Sequence, residues 1–479
     1  MAFSSHVFLF YFLPVLLALY HALPARRLAA RNVLLLIAGY VFYGWICPWL
    51  TALLLGMTVA NYALSRVIAG GCTRGGRLAA TAGAIALDLA VLGLFKYAAF
   101  LESNLNSLLR LSGGDALPIL RIVFPVGISF YTFKAVSYVV DVYRDRSPPA
   151  RSLLDFACYV SFFPQLLSGP IQRYGTIDAK GETAPVFADQ LAHREHTRSA
   201  FSRGVALFML GFAKKILLAD GVARVADAVF AAASPGTMDA WFGALAYSFQ
   251  LYFDFSAYSE MAIGLGLMFG FECARNFDAP YRAESFGDFW RRWHISLSSW
   301  LRDYLYIPLG GSRSGKGRTY LNLMIVFLLC GLWHGAGWTF IVWGAWHGLW
   351  LVVERFFGRP ALHAFLPAPL RTLATFLLVT IGWVVFRATD LADAGRILAV
   401  MFIPQPARGG SALLSAVIYT RGHLILMALC AVLTFQPVQG YDWTRRLGWA
   451  GIPVLVVLFA LALMTMFAQS FRSFLYFQF

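Results

Sequence analysis

The sequence predicts an all-α protein that crosses a membrane many times, with residues 1–479 forming one integral membrane domain. Three observations lead to this fold class: 59% of the residues are hydrophobic, only 13% are charged, and the mean hydropathy is +0.65. A soluble globular chain carries about 25% charged residues. With so little charge, neither a soluble enzyme nor a disordered or fibrous protein can be built.

Apolar runs long enough to span a bilayer recur along the whole chain. A spanning helix needs about 20 mostly apolar residues, and on that basis we expect roughly ten to twelve spans. The runs are 6–23, 33–68, 78–101, 119–142, 153–171, 201–219, 240–271, 321–333, 339–353, 371–386, 423–435 and 453–469. The second run has room for two short spans around Cys47-Pro48. The longest polar stretch, about 173–203, is predicted to be a loop or an interfacial segment.

The charge pattern predicts the orientation of these spans. The net charge is +15, and the basic residues form short clusters between the apolar runs. This arrangement is typical of cytoplasmic loops that follow the positive-inside rule, so we do not expect nucleic-acid binding. Arg26 and Arg27 follow the first apolar run, which is the reverse of the charge order of a signal peptide. We therefore predict a retained first helix whose N-terminus lies outside.

Residues 281–308 depart from this pattern, since charged and aromatic residues alternate there at high density. Trp290, Trp293, Leu297, Trp300 and Leu301 recur at helical spacing and predict one apolar stripe. Tryptophan and arginine are both suited to the membrane interface. We expect helices lying at the cytoplasmic boundary or dipping into it; the alternative is a simple anchoring helix.

Two histidines are candidates for chemistry. His334 lies deep in an apolar run, where an ionisable residue is costly to keep, and Gly331, Gly335 and Gly337 surround it. Such glycines allow a helix break beside a cavity, although tight helix packing would also require them. A neutral imidazole there could act as a general base. His294 lies 40 residues earlier on another element, and the sequence does not show whether the two converge.

Other polar residues in apolar runs leave two interpretations open. Asp254 and Tyr258 lie one helical turn apart and could line a polar path, but Asp254 could equally form a structural ion pair with Lys214 or Lys215. His347 would not share a site with His334 on one continuous helix, and we interpret it as structural. No segment has the spacing of a metal site. Residues 310–316 have the spacing of a phosphate-binding loop, but Gly317 stands where serine or threonine is required, and we interpret them as a basic cytoplasmic loop.

Several segments resemble the membrane-bound O-acyltransferase family, and the alginate O-acetyltransferase branch in particular. The similarity extends over most of the chain, and the central matching segment is the most specific. The matching segments are 124–131, 141–144, 251–259, 261–267, 289–311, 331–336 and 474–479. The resemblance implies a ring of spanning helices around a central tunnel with re-entrant segments, in the inner membrane of a bacterium.

The resemblance also implies site residues and a reaction. The essential histidine of the family maps onto His334, and its second polar residue maps onto His294. The further residues that we expect along the tunnel or against the substrate are Asp254, Tyr258, Trp293, Trp333, Arg302 and Asn322. Acetyl-CoA is the expected donor substrate, and no bound cofactor or metal is expected. The expected partner is a periplasmic SGNH-type acetyltransferase that completes transfer to a surface polysaccharide.

The acceptor and the class of function remain open at this point. The segment between Met401 and Gly451 is compact where alginate members are expected to carry a longer hydrophilic insertion. Alginate-like polymers, cellulose, other exopolysaccharides, peptidoglycan and teichoic acid are therefore all candidate acceptors. The alternatives to an acyltransferase are a transporter or flippase for an acyl or sugar substrate, and a scaffold for the soluble transferase.

Overall fold

The computed structural model describes residues 1–45, 47–71, 73–118, 120, 122–175, 186–358, 365–404, 411–469 and 474–475. Within these ranges all regular secondary structure is helical, and no β-strand is formed. The predicted class, an all-α polytopic membrane protein, is confirmed. The chain divides into two compact units, and the assignment of residues 1–479 to one domain stays a prediction.

Unit 1 comprises residues Met1–Val205 and Ala262–Arg275. A π-helical turn, Phe8–Phe12, leads into its first helix, and a second such turn, Gly93–Tyr97, joins its fourth and fifth. The helices that lie within it are α1 (Leu13–Ala22), α2 (Leu28–Gly44), α3 (Leu50–Ala69), α4 (Arg74–Leu92), α5 (Ala98–Leu111), α6 (Ile128–Tyr143), α7 (Leu153–Ser161), α8 (Phe163–Leu166) and α9 (Phe187–Ala192). Helices α3, α4 and α6 pack against one another, and α2 packs against α7.

Unit 2 comprises residues Ala206–Met261 and Asn276–Phe479. The unit boundaries fall within two helices, α10 (Arg198–Ala213) and α12 (Thr237–Met268). The others are α11 (Asp220–Ala231), α13 (Phe286–Arg292), α14 (Ile295–Leu301), α15 (Lys316–His334), α16 (Trp338–Phe357), α17 (Ala368–Arg387), α18 (Leu391–Phe402), α19 (Ser411–Ile418), α20 (Arg421–Thr434), α21 (Gly440–Arg445) and α22 (Gly451–Ala468). Helices α15 and α16 form a tightly packed antiparallel pair.

Two of the predicted spans differ from the observed helices. The run 153–171 is not one span, because α7 ends at Ser161 and only the single turn α8 follows. Pro164 explains the break, since proline cannot continue a helix interior. The predicted span 119–142 begins at Ile128, after Gly127 in the left-handed conformation (φ +85°); residues 119 and 121 lie outside the described part. The run 33–68 forms the two expected helices, α2 and α3.

Four helical segments in the described part are long and apolar enough to cross a membrane: Leu50–Ala69, Arg74–Leu111, Ala368–Arg387 and Gly451–Ala468. Three shorter apolar segments are Phe8–Ala22, Leu28–Gly44 and Arg421–Thr434. Helices α12, α15 and α16 are of spanning length, but they are less apolar because they contain the polar residues singled out above. The total of ten to twelve spans stays a prediction.

Candidate active site

The structure brings the two candidate histidines together. The imidazole centroids of His294 and His334 are 6.4 Å apart, although the residues are 40 positions apart in the chain. Both side chains are buried, with 0% and 6% of their surface exposed. Each stands at a helix end: His334 is the last residue of α15, and His294 immediately precedes α14. The site is therefore built where two helices are interrupted.

His334 is positioned by the close packing of α15 against α16. The helix ends at His334, residues 335–337 are extended or bent, and α16 begins at Trp338. A Cβ atom at Gly331 would overlap the carbonyl oxygen of Phe340, and one at Gly335 would overlap the Phe340 ring. The glycines thus serve both roles considered above, since they permit a helix break and a close helix contact.

His294 occupies a strained backbone position that the surrounding chain holds in place. Its φ and ψ are 45° and 53°, the left-handed region that non-glycine residues rarely adopt. Asn276 secures the turn: its carbonyl oxygen accepts from the Ile295 amide at 3.0 Å, and its Oδ1 accepts from the Ser296 hydroxyl at 2.6 Å. Strain of this kind is maintained only where its surroundings determine the conformation, and it is common at functional sites.

This turn also divides the predicted aromatic stripe of residues 290–301. Helix α13 ends at Arg292 and α14 begins at Ile295, so the prediction of one continuous stripe is wrong. The reason is the conformation of Trp293 and His294, which leaves the helical region. All five stripe residues are buried within the protein. A helix that only anchors the chain at the interface would instead leave these side chains exposed to lipid.

Aromatic rings surround the histidine pair. Trp333, Trp343 and Phe386 lie with their centroids 4.9, 5.1 and 5.5 Å from that of His334. The ring of Phe255 lies 4.6 Å from His294 in an edge-to-face arrangement. Such packing fixes the orientation of both imidazoles and gives the site an apolar wall. The sequence analysis missed Trp343, Phe386 and Phe255, which no local pattern distinguishes from the many other aromatic residues of the chain.

His347 joins the same aromatic cluster from the far side of Trp343. Its ring lies 4.8 Å from Trp343, and its Nδ1 accepts a hydrogen bond from the Trp290 indole at 3.2 Å. The expectation that His347 lies far from His334 was based on one continuous helix. Because the helix ends at His334, that estimate of their separation does not apply. The structural role predicted for His347 stays a prediction.

The two polar candidates on α12 are tied to the end of the chain. Lys215 Nζ lies 2.7 Å from both Asp254 and Asp220, so the ion pair is the alternative that the structure shows for Asp254. The other Asp254 oxygen accepts from the Leu475 amide at 2.9 Å. The Tyr258 ring lies 5.0 Å from that of Phe474. Residues 476–479 of the predicted tail motif lie outside the described part.

The remaining candidates have defined contacts away from the histidine pair. Trp293 packs against Trp383, with centroids 5.1 Å apart, and thereby reaches the aromatic cluster. Asn322 donates to the carbonyl oxygen of Gly311 at 3.0 Å and lies twelve residues before His334, about 18 Å along the helix. Arg302 forms an ion pair with Asp303 at 2.7 Å. The tunnel that these residues are predicted to line stays a prediction.

The comparisons with known proteins identify the family of this chain. The model of the family described as MBOAT, membrane-bound O-acyltransferase, matches residues 144–386, which contain both histidines. The chain belongs to the membrane-bound O-acyltransferase family. It is an O-acyltransferase of the membrane, as the resemblance predicted.

Curated relatives cover the full length of the chain. It is 43% identical to the probable alginate O-acetylase of Azotobacter vinelandii, over 100% of both chains. The corresponding protein of Pseudomonas aeruginosa is 50% identical over 84% of this chain and 75% of its own. A peptidoglycan O-acetyltransferase of Helicobacter pylori is 34% identical over 100% of this chain and 97% of its own.

Proposed function

We propose that this protein is an O-acetyltransferase of the bacterial inner membrane that uses cytoplasmic acetyl-CoA to acetylate an extracellular polysaccharide, with alginate as the first candidate. The observation that carries the proposal is the buried pair of His294 and His334 within the region that the family model matches. Alginate comes first because two of the relatives above are named as alginate O-acetylases. The H. pylori relative makes peptidoglycan the second candidate acceptor.

The proposed step joins an acceptor hydroxyl to the acetyl carbonyl. His334 accepts the hydroxyl proton as the oxygen attacks, the C–O bond forms, and the C–S bond of the thioester breaks. The thiolate of coenzyme A leaves and receives a proton. A positioned base contributes about 10²–10⁴-fold to such a reaction. His294 lies close enough to orient the thioester or the acceptor, and the aromatic wall limits access of water, which would hydrolyse the donor.

The acceptor of this step is either the polysaccharide itself or a periplasmic SGNH-type acetyltransferase that passes the group on. Acetyl-CoA is a polyanion that does not cross lipid, while its thioester end is small. A base at a helix break inside the protein lets the donor stay on one side while the hydroxyl arrives from the other. This division of the reaction explains why an acyltransferase of soluble substrates would be embedded in a membrane.

A single pair of variants tests the proposal. His334→Ala and His193→Ala each remove one imidazole, but His193 is exposed in the loop after α9 and serves as the matched control. Purified protein is incubated with acetyl-CoA and with alginate as the acceptor, and release of the coenzyme A thiol is followed. The acetyl content of the polymer is measured in cells. We expect His334→Ala to lose both signals and His193→Ala to keep them.

The outcome also separates the alternative functions. Uptake of labelled substrate without thiol release indicates a transporter. Normal thiol release and polymer acetylation in His334→Ala would contradict the assignment of the base. A scaffold predicts that the histidine variants are silent while loss of the whole protein abolishes polymer acetylation.

A further inference from the structure

A second polar site lies in unit 1, in a cavity of about 420 Å³. It is bounded by the end of α1, the loop before α10 and the last residues of α12. We call it the His196 pocket. Its polar wall consists of His21, His196, Thr197, Arg198 and Ser202, and Phe201, Leu267 and Met268 complete the lining. The charge pattern of the sequence predicts that the loop after α1, which carries Arg26 and Arg27, faces the cytoplasm.

Two buried arginines stand behind this wall without an acidic partner. Arg31 and Arg194 expose 4% and 9% of their surface, and no carboxylate among the described residues lies within 4.0 Å of either guanidinium. Arg31 Nη1 lies 3.2 Å from the His196 ring nitrogens, and Arg194 Nε donates to the Tyr20 hydroxyl at 2.9 Å. Each guanidinium also donates to a backbone carbonyl, Arg31 to Leu23 at 2.6 Å and Arg194 to Gln190 at 3.1 Å, but these neutral acceptors do not cancel its charge. Buried charges are ordinarily compensated, so two such cations behind one cavity wall indicate an anion nearby.

Each of these two arginines also has a buried nitrogen that makes no hydrogen bond within the described residues. Arg31 Nε and Arg194 Nη2 are buried and have no hydrogen-bond acceptor among the described residues. The same Tyr20 hydroxyl approaches His196 Nε2 to 2.9 Å, so the two arginines and the pocket wall belong to one network.

A helix N-terminus adds to the positive potential. Helix α10 begins at Arg198, and Thr197 Oγ1 accepts from the Ala200 amide at 3.0 Å. The first turn of this 16-residue helix, which is the positive end of its dipole, therefore lies at the pocket. The field is also visible at His196: burial, followed by the charges of Arg31 and Arg194, lowers the pKa of its imidazole to about 4.

We propose that the His196 pocket binds a phosphate group, carried either by a soluble phosphorylated molecule such as coenzyme A or by an anionic lipid headgroup. Both sources present the same chemistry, a phosphate oxyanion, to Arg198 and to the start of α10, in the positive field of the buried arginine pair behind the wall. The inference concerns binding alone and does not involve the chemistry proposed for His334, so either can fail without the other.

Two arms of one experiment distinguish the sources, with full-length protein in nanodiscs. The first arm measures the dissociation constants of coenzyme A and of pantetheine, which has the same thiol end but no phosphate. The second arm measures, by mass spectrometry, how much phosphatidylglycerol stays bound after extraction from nanodiscs that contain it. Each arm uses Arg198→Gln and Arg31→Gln, with Arg26→Gln as the matched control, because Arg26 is exposed and does not line the pocket.

We expect binding to weaken in one of the two arms in the pocket variants and to stay unchanged in Arg26→Gln. Arg198→Gln raises the dissociation constant of coenzyme A about tenfold while that of pantetheine is unchanged, or it lowers the retained phosphatidylglycerol by a similar factor. Arg198 is exposed, so this variant stays informative even if Arg31→Gln does not fold. Wild-type binding of coenzyme A together with wild-type lipid retention in Arg198→Gln would overturn the proposal.

Discussion

The contact between α15 and α16 gives the sharpest test of how the candidate active site is built. In Gly331→Ala the new Cβ would overlap the Phe340 carbonyl oxygen and would lie only 3.3 Å from the Gly344 Cα. Both obstacles are backbone atoms, so no side chain can rotate away. Restoring ordinary contact distances requires the two helices to separate by about 1 Å.

The two energy terms act in opposite directions. Alanine gains about 1 kcal/mol of helix propensity over glycine, whereas an overpacked contact costs about 1–3 kcal/mol. The net loss of unfolding free energy is therefore at most about 2 kcal/mol, and the variant should still insert and fold. Gly331 lies one turn before His334, so the same displacement moves the imidazole relative to the Trp343 ring. A misplacement of about 1 Å lowers catalysis by about 10²-fold.

The assay compares thiol release from acetyl-CoA with thermal unfolding in the same nanodiscs. Gly395→Ala is the matched control, since a Cβ at that helical position in α18 meets nothing within 4 Å. We expect the control to be as active and at least as stable as the wild type. Wild-type activity in Gly331→Ala, at unchanged stability, would refute the view that this helix contact positions His334.

Two further predictions concern the ion pair and the histidine of unit 1. Lys215→Met leaves the carboxylates of Asp254 and Asp220 buried without their cation, so the free energy of unfolding should fall by about 3–5 kcal/mol; an unchanged melting temperature would argue against a stabilising role. The pKa of His196 is lowered to about 4 in the folded protein, so between about pH 6.5 and 4 the unfolded chain binds more protons than the folded one. The melting temperature should therefore fall as the pH is lowered through that range. His196→Gln should flatten this part of the profile, and an equally steep profile in the variant would assign it to other groups.

The sequence identified the fold class and the two histidines for different physical reasons. Composition alone decides that the solvent is lipid, and an imidazole in an apolar run is unusual enough to attract attention. The approach of His294 to His334 could not be predicted, because it depends on the turn at Trp293-His294. No local sequence pattern indicates that His294 adopts the left-handed conformation. The prediction of a spanning helix over 153–171 was wrong because it followed the high hydropathy of the segment and did not take into account that Pro164 interrupts a helix.

The choice between Lys214 and Lys215 shows a second limit of sequence reasoning. Successive residues of a helix point about 100° apart, so only one of the two lysines can face Asp254. Lys215 does so, and Lys214 pairs with Glu260 at 2.7 Å instead. The spacing of the sequence allows both pairings. The choice follows from the rotation of the π-helical turn Lys214–Ala219 against α12, which only the packed structure determines.

The two helix ends at the histidine pair explain why the site is found here and not within a regular helix. A regular helix satisfies its own backbone groups and offers a ligand only its side chains, whereas an interrupted helix leaves amides and carbonyls unpaired. Lipid does not tolerate such groups, so a break at membrane depth must be enclosed by protein or open to a water-filled cavity. The break after His334 is closely packed against Phe340, and the turn at His294 is secured by Asn276. Protein therefore encloses both interruptions, and the two histidines beside them lie with their ring centroids 6.4 Å apart.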